Sequence, residues 1–307
     1  MNNIVKKVAA GIVLFNPDIV RLKECILRLN RQVGCIIIYD NSTEDLNINI
    51  TEENIIYLTH NHNDGISYAL NQIFLKGKEM GYEWILTMDQ DTIVPEGIIE
   101  TFSEYFSLKD IGEICPQVID KRRPFSNVDL TQNKTTYVNF CITSACCTKI
   151  SIWEKLGGYD EFLFIDFVDN DYSLRLILSG YKILRCNKVI IDQQYGNISL
   201  KSPVWVKFYM KISSILNNRN IAKLTYKKEV SPFRVYHVHR NLIYLNKKFK
   251  KYGKVGYRNF YCNSFLGFLI YYSFASFIRG KKKWKIFKAI VKGLRDGYKS
   301  HPKIFQV

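Results

Sequence analysis

No G-x-G-x-x-G run and no Walker loop occurs in the 307 residues. Both motifs let a glycine-lined backbone approach phosphates, so their absence counts against a dinucleotide fold and a P-loop enzyme. No C-x-x-C pair occurs either. The eight cysteines (25, 35, 115, 141, 146, 147, 186 and 262) are scattered, and two are adjacent. That pattern argues against a zinc site or a disulfide framework and for small buried hydrophobes in a reducing compartment. Acidic residues are nearly missing from one end. Residues 199–307 hold only Glu229 and Asp296 against 25 Lys and Arg, a net +23, whereas residues 1–198 carry a net −7. The opening apolar run is too short for a secretory signal and is closed by Asn16-Pro17, so it reads as a first strand.

What is present is an ordinary folded composition, 47% hydrophobic and 23% charged, long enough for one large α/β domain with an appendage. Residues 8–15, 35–39, 55–58 and 84–88 are continuous apolar runs, as strands buried on both faces are. Between them, Ile19, Leu22, Ile26 and Leu29, then Ile66, Ala69, Leu70, Ile73 and Phe74, recur at helical spacing. The alternation predicts a Rossmann-like, mostly parallel sheet with helices on both faces. In such sheets ligands bind beyond the carboxyl ends of the strands. Asn16, Asp40, Asn63 and the pair Asp89 and Asp91 stand at those ends. One such residue is an everyday helix cap; four together point to a site. Residues 121–140 read as a loop, 138–145 as a return to the sheet, and 181–191 as a further strand.

Asp89-Gln90-Asp91 places two carboxylates two residues apart, on one side of an extended segment. Hard oxygen ligands of this kind suit a diphosphate with Mg²⁺ or Mn²⁺; a solvated turn is the competing reading. Asp166, Asp169 and Asp171 form a second cluster beside Phe162, Phe164 and Phe167. Aromatic surroundings favour the raised pKa that a general base needs, while acids at a helix start also simply complement its dipole.

The ordered segments LFNP, YDNST, HNDGISYALNQ, WILTMDQD, ITSACC and LGGYDEFLFIDFVDNDYSLR together resemble the family 2 glycosyltransferases of GT-A fold, and the DQD and FIDFVDxD forms resemble bacterial rhamnosyltransferases. The resemblance runs over roughly residues 7–245, including SPFRVYHVHRN. It implies a metal-dependent, inverting transfer from a nucleotide-sugar, dTDP-rhamnose, to a hydroxyl of a glycan or lipid-linked acceptor in surface polysaccharide synthesis. It implies nucleotide-sugar contacts at Phe15, Asn16, Asp40, Asn63, Gly65, Asp89 and Gln90, a metal ligand at Asp91, a catalytic base at Asp169, and Asp166 as its neighbour on the acceptor side. Asp171 and Arg175 would be support. Many relatives carry His-x-x-Gly after the strand that follows the acidic helix. This chain has Gln193 at the His position, with Asp192, His237 and His239 as other candidates for metal or phosphate. Another nucleotide-hexose donor is the alternative within the class. A nucleotidyltransferase is the alternative outside it, against which the missing glycine-rich loop counts, and a dead membrane-bound scaffold is a third.

The expected division is residues 1–225 as the GT-A domain and 226–307 as a basic, aromatic helical region. Residues 259–278 are uncharged for 20 residues, yet their Asn, Ser, Gly and Tyr make a weak span. An in-plane helix beside a lysine cluster fits better. The apolar stripe Ile286, Phe287, Ile290, Val291 and Leu294 follows. These features predict a cytoplasmic protein held at the anionic inner face of the cell membrane. A homodimer through the C-terminal helices is the second reading. No recognition motif supports nucleic-acid binding.

Overall fold

The computed structural model describes residues 7–44, 54–124, 128, 133–193, 196, 198–253, 257, 262 and 264–307. The chain divides into two compact units, the first formed by residues 1–119, 128–164 and 168–193, the second by 120–127, 165–167 and 194–307.

The first unit is built on β1 (Val8–Leu14), α1 (Ile19–Asn30), β2 (Cys35–Asp40), β3 (Ile55–Thr59), α2 (Ile66–Glu79), β4 (Trp84–Asp89), α3 (Ile98–Ser103), β5 (Ile111–Ile119), β6 (Thr135–Val138), β7 (Cys146–Lys149), α4 (Ile150–Lys155), α5 (Val168–Leu178) and β8 (Lys182–Asp192). The eight strands form one sheet in the order β3-β2-β1-β4-β7-β5-β8-β6. β1 to β4 run parallel, as the apolar runs and intervening helical stripes predict. Asp18 caps α1 through its side chain, accepting from Val20 N and Arg21 N, and Leu22, Cys25, Ile26 and Leu29 bury one face. That face packs with Ile12, Leu14, Ile36 and Ile38 into the main core. Truncating such a side chain to alanine costs about 2–5 kcal/mol. On the opposite face α2 buries Ala69, Leu70, Ile73 and Phe74, and Gly11 leaves the space that Ile73 fills.

The far half of the sheet differs from the prediction. β7 is antiparallel to both β4 and β5, and β6 is antiparallel to β8. The sheet resumes at Cys146 rather than at 138, and a four-residue edge strand, β6, lies inside the stretch read as a loop. Its Thr-Thr-Tyr-Val sequence is too short and polar to announce itself. β5 has no counterpart in the sequence reading, because Glu113, Pro116 and Gln117 interrupt its apolar pattern. Pro116 is tolerated beyond the reach of β7, whose pairing ends at Ile114, and beside a register shift against β8.

The second unit contains a small hairpin, β9 (Ile198–Leu200) with β10 (Tyr226–Lys228), and the helices α6 (Pro203–Ile215), α7 (Arg219–Ala222), α8 (Pro232–Lys248), α9 (Phe265–Arg279) and α10 (Lys283–Lys299). α8 and α10 pack closely. A Cβ on Gly293 would meet Tyr236 O at 2.6 Å, and one on Gly297 would meet Arg240 O at 2.9 Å. The buried seam of α10 is therefore Ile286, Ala289, Gly293 and Gly297; of the expected stripe, Ile286 is buried and Ile290 packs beside it, while Phe287 and Val291 face outward. Among the described residues, no helix is long and apolar enough to cross a membrane. α9 begins at Phe265, so it covers only part of the uncharged stretch, whose start lies outside the described residues.

Candidate active site

Strand register brings the polar strand ends of the first unit together. Leu14 lies opposite Asp40 on one side of β1, Val13 lies opposite Asp89 on the other, and Asp40 lies opposite Thr59 on β3. The loops that follow carry Phe15 and Asn16, Asn63 and Gly65, and Gln90 and Asp91. All of these residues stand at one edge of one sheet.

Each loop is tied down by its own side chains. Gln90 behaves as a strand-like clamp: its Oε1 accepts from Phe15 N at 2.8 Å and its Nε2 donates to Phe15 O at 3.2 Å. Phe15 and Asn16 themselves are exposed. Asn16 adopts a left-handed backbone (φ 45), and its N–H donates to Ser42 Oγ at 2.9 Å. Asp40 is buried; it accepts from Ser42 N at 2.8 Å and from the Tyr57 hydroxyl. Asn41 joins the second loop to the third, donating to Gly65 O at 3.1 Å and accepting from Asp64 N at 3.2 Å. Asn63 Oδ1 accepts from Gly65 N at 3.1 Å. Gly65 is required: its φ is 88, and a Cβ there would sit 2.8 Å from Phe164 O. Asp64 also accepts from the Tyr39 hydroxyl at 3.0 Å and pairs with His62 at 2.9 Å. Burial alone would raise the Asp64 pKa, but His62 and Tyr39 outweigh it and hold the carboxyl below its usual range. Nothing in the spacing of Tyr39, Asp64 and Tyr57 announced these roles, because the partners are far apart in sequence or in separate loops.

Asp89 and Asp91 divide their duties. Gln193, at the end of β8, donates from Nε2 to Asp89 Oδ2 at 2.7 Å. Its Oε1 accepts from the Thr92 hydroxyl and from Ser144 Oγ at 3.1 Å, and Ser144 Oγ lies 2.9 Å from Thr92 Oγ1. Gln193 N donates to Ile119 O at 2.8 Å. The Asp89 carboxylate only accepts, whereas the two hydroxyls can donate or accept, so the amide has one workable orientation, with its NH₂ toward the carboxylate. The residue that departs from the His pattern is thus a fixed neutral donor to Asp89. Asp91 is exposed, and its carbonyl accepts from Arg21 Nε at 2.9 Å. Two carboxylates at a strand end, one open to solvent, are a hard donor set that fits Mg²⁺ or Mn²⁺ with diphosphate and water completing the shell.

The second cluster separates by role. Asp171 is fully buried and pairs with Arg175 at 2.7 Å, and Arg175 donates to Leu156 O and Gly158 O at 2.7 Å each. This pair pins α5 in place. Asp169, in the first turn of α5, is half-buried. Asp166 belongs to the second unit, where Arg234 grips it through both guanidinium nitrogens. Asn241 donates to Ile165 O at 2.8 Å and Asp166 O at 2.9 Å. Asp166 and Phe167 are consecutive left-handed residues (φ 65 and 67), a strained pair that these bonds hold. His239 is an internal fixture of the second unit, bonded to Val235 O at 2.7 Å and Ser273 Oγ at 2.8 Å. Burial, with Arg240 nearby, pushes His237 down to about 4, which leaves it neutral.

Among the described residues, the one group of three His, Cys, Asp or Glu side chains with ligand atoms mutually within 4.8 Å is elsewhere: Glu113, Cys141 and Cys146, all buried. Cys141 Sγ donates to Glu113 Oε2 at 3.2 Å. Burial pushes Glu113 up to about 7 and Cys146 up to about 12, so the thiols stay protonated around a carboxyl that titrates near neutrality, and the group is a hydrogen-bonded core rather than a set of thiolates.

A profile of the family described as "Glycosyl transferase family 2" matches residues 11–154. The dTDP-rhamnosyl transferase RfbF of Shigella flexneri is 26% identical, over 78% of this chain and 89% of its own length. Among solved structures, the mannosyltransferase PcManGT from Pyrobaculum calidifontis, in complex with GDP-Man and Mn²⁺, superposes with a TM-score of 0.50 at 12% identity, covering 96% of this chain and 76% of that one. GalNAc-T7 with UDP, GalNAc and Mn²⁺ gives 0.53 at 11% identity, covering 89% and 58%. The architecture they share with this chain is the GT-A fold.

Proposed function

We propose that the chain is a family 2 glycosyltransferase, as the match over residues 11–154 supports, and that it moves rhamnose from dTDP-rhamnose, with inversion, to a hydroxyl of a glycan or lipid-linked acceptor in the synthesis of a surface polysaccharide. The observation that carries the transferase reading is the convergence of Asp40 and Asp89 on either side of the β1 end, with Asp91 open to solvent beyond it. Similarity to the rhamnosyl transferase of Shigella flexneri supports the donor.

In this reading Phe15, Asn16 and Asn63 meet the nucleotide, and Asp40, Gly65 and Gln90 hold the loops that present them. Asp91 would hold Mg²⁺ or Mn²⁺, with Asp89 beside it at the diphosphate, and the ion when bound would offset charge on the departing diphosphate. Gln193 keeps Asp89 from rotating, because one carboxylate oxygen is already committed to its amide. Asp169 accepts the proton of the acceptor hydroxyl through a carboxylate oxygen. The acceptor's own oxygen, freed of that proton, bonds to the anomeric carbon from the face opposite the leaving group, the bond to diphosphate breaks, and dTDP departs with the electron pair. Asp166 shapes the acceptor side.

The exposed stripe Leu266, Ile270, Phe274 and Ile278 on α9, with Trp284 and Phe287 among the lysines of α10, supports peripheral association with an anionic membrane surface. A dimer through these helices predicts concentration-dependent sedimentation instead.

A thermal-shift panel of nucleotide-sugars with and without Mn²⁺, followed by transfer assays, tests the donor. A Mn²⁺-dependent response to dTDP-rhamnose above all others is expected. A response to UDP-sugars alone overturns the rhamnosyl assignment.

A further inference from the structure

Helix α6 of the second unit is seated by one side and uncovered on the other. Of its thirteen residues only Ser213 is buried, and Ser213 Oγ donates to Asn218 O at 3.0 Å. Val206 and Met210, on the same side as Ser213, are half-buried. The other side carries Val204, Trp205, Phe208, Ile215 and the following Leu216, each exposed by half or more. At 100° per residue these five fall within an arc of roughly 120°. They form one contiguous face, and an exposed apolar face of this kind marks an interaction site where scattered apolar residues do not. Its rings are ordered against one another: Trp205 and Tyr209 stack with centres 5.7 Å apart, and Phe208 meets both edge-on, at 5.7 and 5.5 Å.

Charge decides what kind of surface this face fits. Lys207 and Lys211, one turn apart and exposed, run along one border of it. At the other border Lys201 Nζ lies over the Tyr209 ring, 4.7 Å from its centre. Residues 199–228 hold seven Lys and Arg and no Asp or Glu. A second copy of the chain, related by a two-fold axis, would set these lysines against their own image with no acid of the stretch to meet them. An anionic lipid surface satisfies both parts of the pattern. Trp and Phe rings enter the boundary between headgroups and acyl chains, while lysine stems lie along the apolar face and carry their ammonium groups to the phosphates.

We propose that α6 is a membrane-docking helix that lies in the plane of an anionic lipid surface, with Val204, Trp205, Phe208, Ile215 and Leu216 toward the acyl chains. The face is separate from the exposed residues of α9 and α10, and it extends the membrane association proposed above, on which it rests.

Tryptophan emission tests it. Trp84 and Trp153 are 0% and 5% exposed, so in full-length Trp284→Phe protein Trp205 is the only exposed tryptophan. On vesicles of phosphatidylglycerol its emission should move to shorter wavelength and be quenched by brominated acyl chains. The response should weaken at high salt and on phosphatidylcholine alone. Adding Val204→Ser with Phe208→Ser should weaken vesicle binding on the order of tenfold and leave the melting temperature unchanged, because both side chains are already in water. An unquenched Trp205, or undiminished affinity in the double serine variant, overturns the proposal. If the protein still co-sediments with the vesicles in that case, membrane association stands without α6; if it does not, both fall. A Trp205 shift that follows protein concentration or added polyglutamate, and not vesicles, gives the face to a second copy or to an acidic protein and overturns the proposal as well.

Discussion

The two units handle charge in opposite ways. In the first, three carboxylates are individually held: Asp40 by Ser42 and Tyr57, Asp89 by Gln193, Asp171 by Arg175. Charge there is fixed in direction. In the second, cations are crowded, and much of the apolar surface of α9 and α10 is left exposed. Residues 199–307 carry a net +23 against −7 for residues 1–198. The first arrangement suits catalysis, which needs preorganised groups at stated atoms. The second suits capture of an extended anionic or amphipathic partner, for which surplus charge matters more than its exact aim.

The sharpest test of the contrast is Asp169→Asn. Loss of the base should cut transfer on the order of a thousandfold while leaving the donor-dependent thermal shift intact; undiminished turnover removes Asp169 from the mechanism. Glu113→Gln probes a charge buried without a ligand. Its folded pKa of about 7 lies above the ordinary value, so its contribution to stability is full below about pH 4.5 and is lost as pH rises through 7, by roughly 3 kcal/mol in all. The variant should therefore gain stability over the parent on going from pH 5 to pH 8, measured by urea denaturation at both; a constant difference would show that Glu113 does not titrate there. Gln193→Ala should cost about 1–3 kcal/mol of stability, since Thr92 and Ser144 lose their acceptor, and should weaken Mn²⁺-dependent donor binding seen by calorimetry. If donor affinity is unchanged, Asp89 does not depend on its partner. Smallest in stability is Ile270→Ser with Phe274→Ser on α9. Exposed positions of this kind shift stability within about 0.5 kcal/mol, yet co-sedimentation with anionic vesicles should fall clearly. Unaltered vesicle binding with altered self-association would assign that face to a dimer.

Legibility in the sequence followed the same divide. β1 to β4 and the faces of α1 and α2 were readable because both are repeats of burial, period 2 or a continuous run for strands and about 3.6 for helices. Asp89, Asp91, Asp40 and Asn63 were readable as site candidates because topology places the residue after each parallel strand at one edge. β5 was not readable, since Glu113 and Gln117 find partners far along the chain, Cys141 and the Asn187 carbonyl. The α10 seam was read only in part, Ile286 and Ile290, because close helix packing there also selects Ala289, Gly293 and Gly297, whose small size reads as weak hydrophobicity.

The amino-acid order by itself determined a parallel α/β core, carboxylates at its strand ends and a basic, aromatic C-terminal third, because each is written in local period or local composition. Only the tertiary structure decided that Gln90 clamps Phe15, that Gln193 points its amide NH₂ rather than its carbonyl at Asp89, that Arg234 holds Asp166, and that Arg122 and Arg123 share Asp120. The first three are pairings between residues from 68 to 104 positions apart, and the fourth gathers two neighbouring cations on one buried carboxylate. Hydrogen-bond direction and charge density are properties of distance in space, which spacing along the chain does not encode.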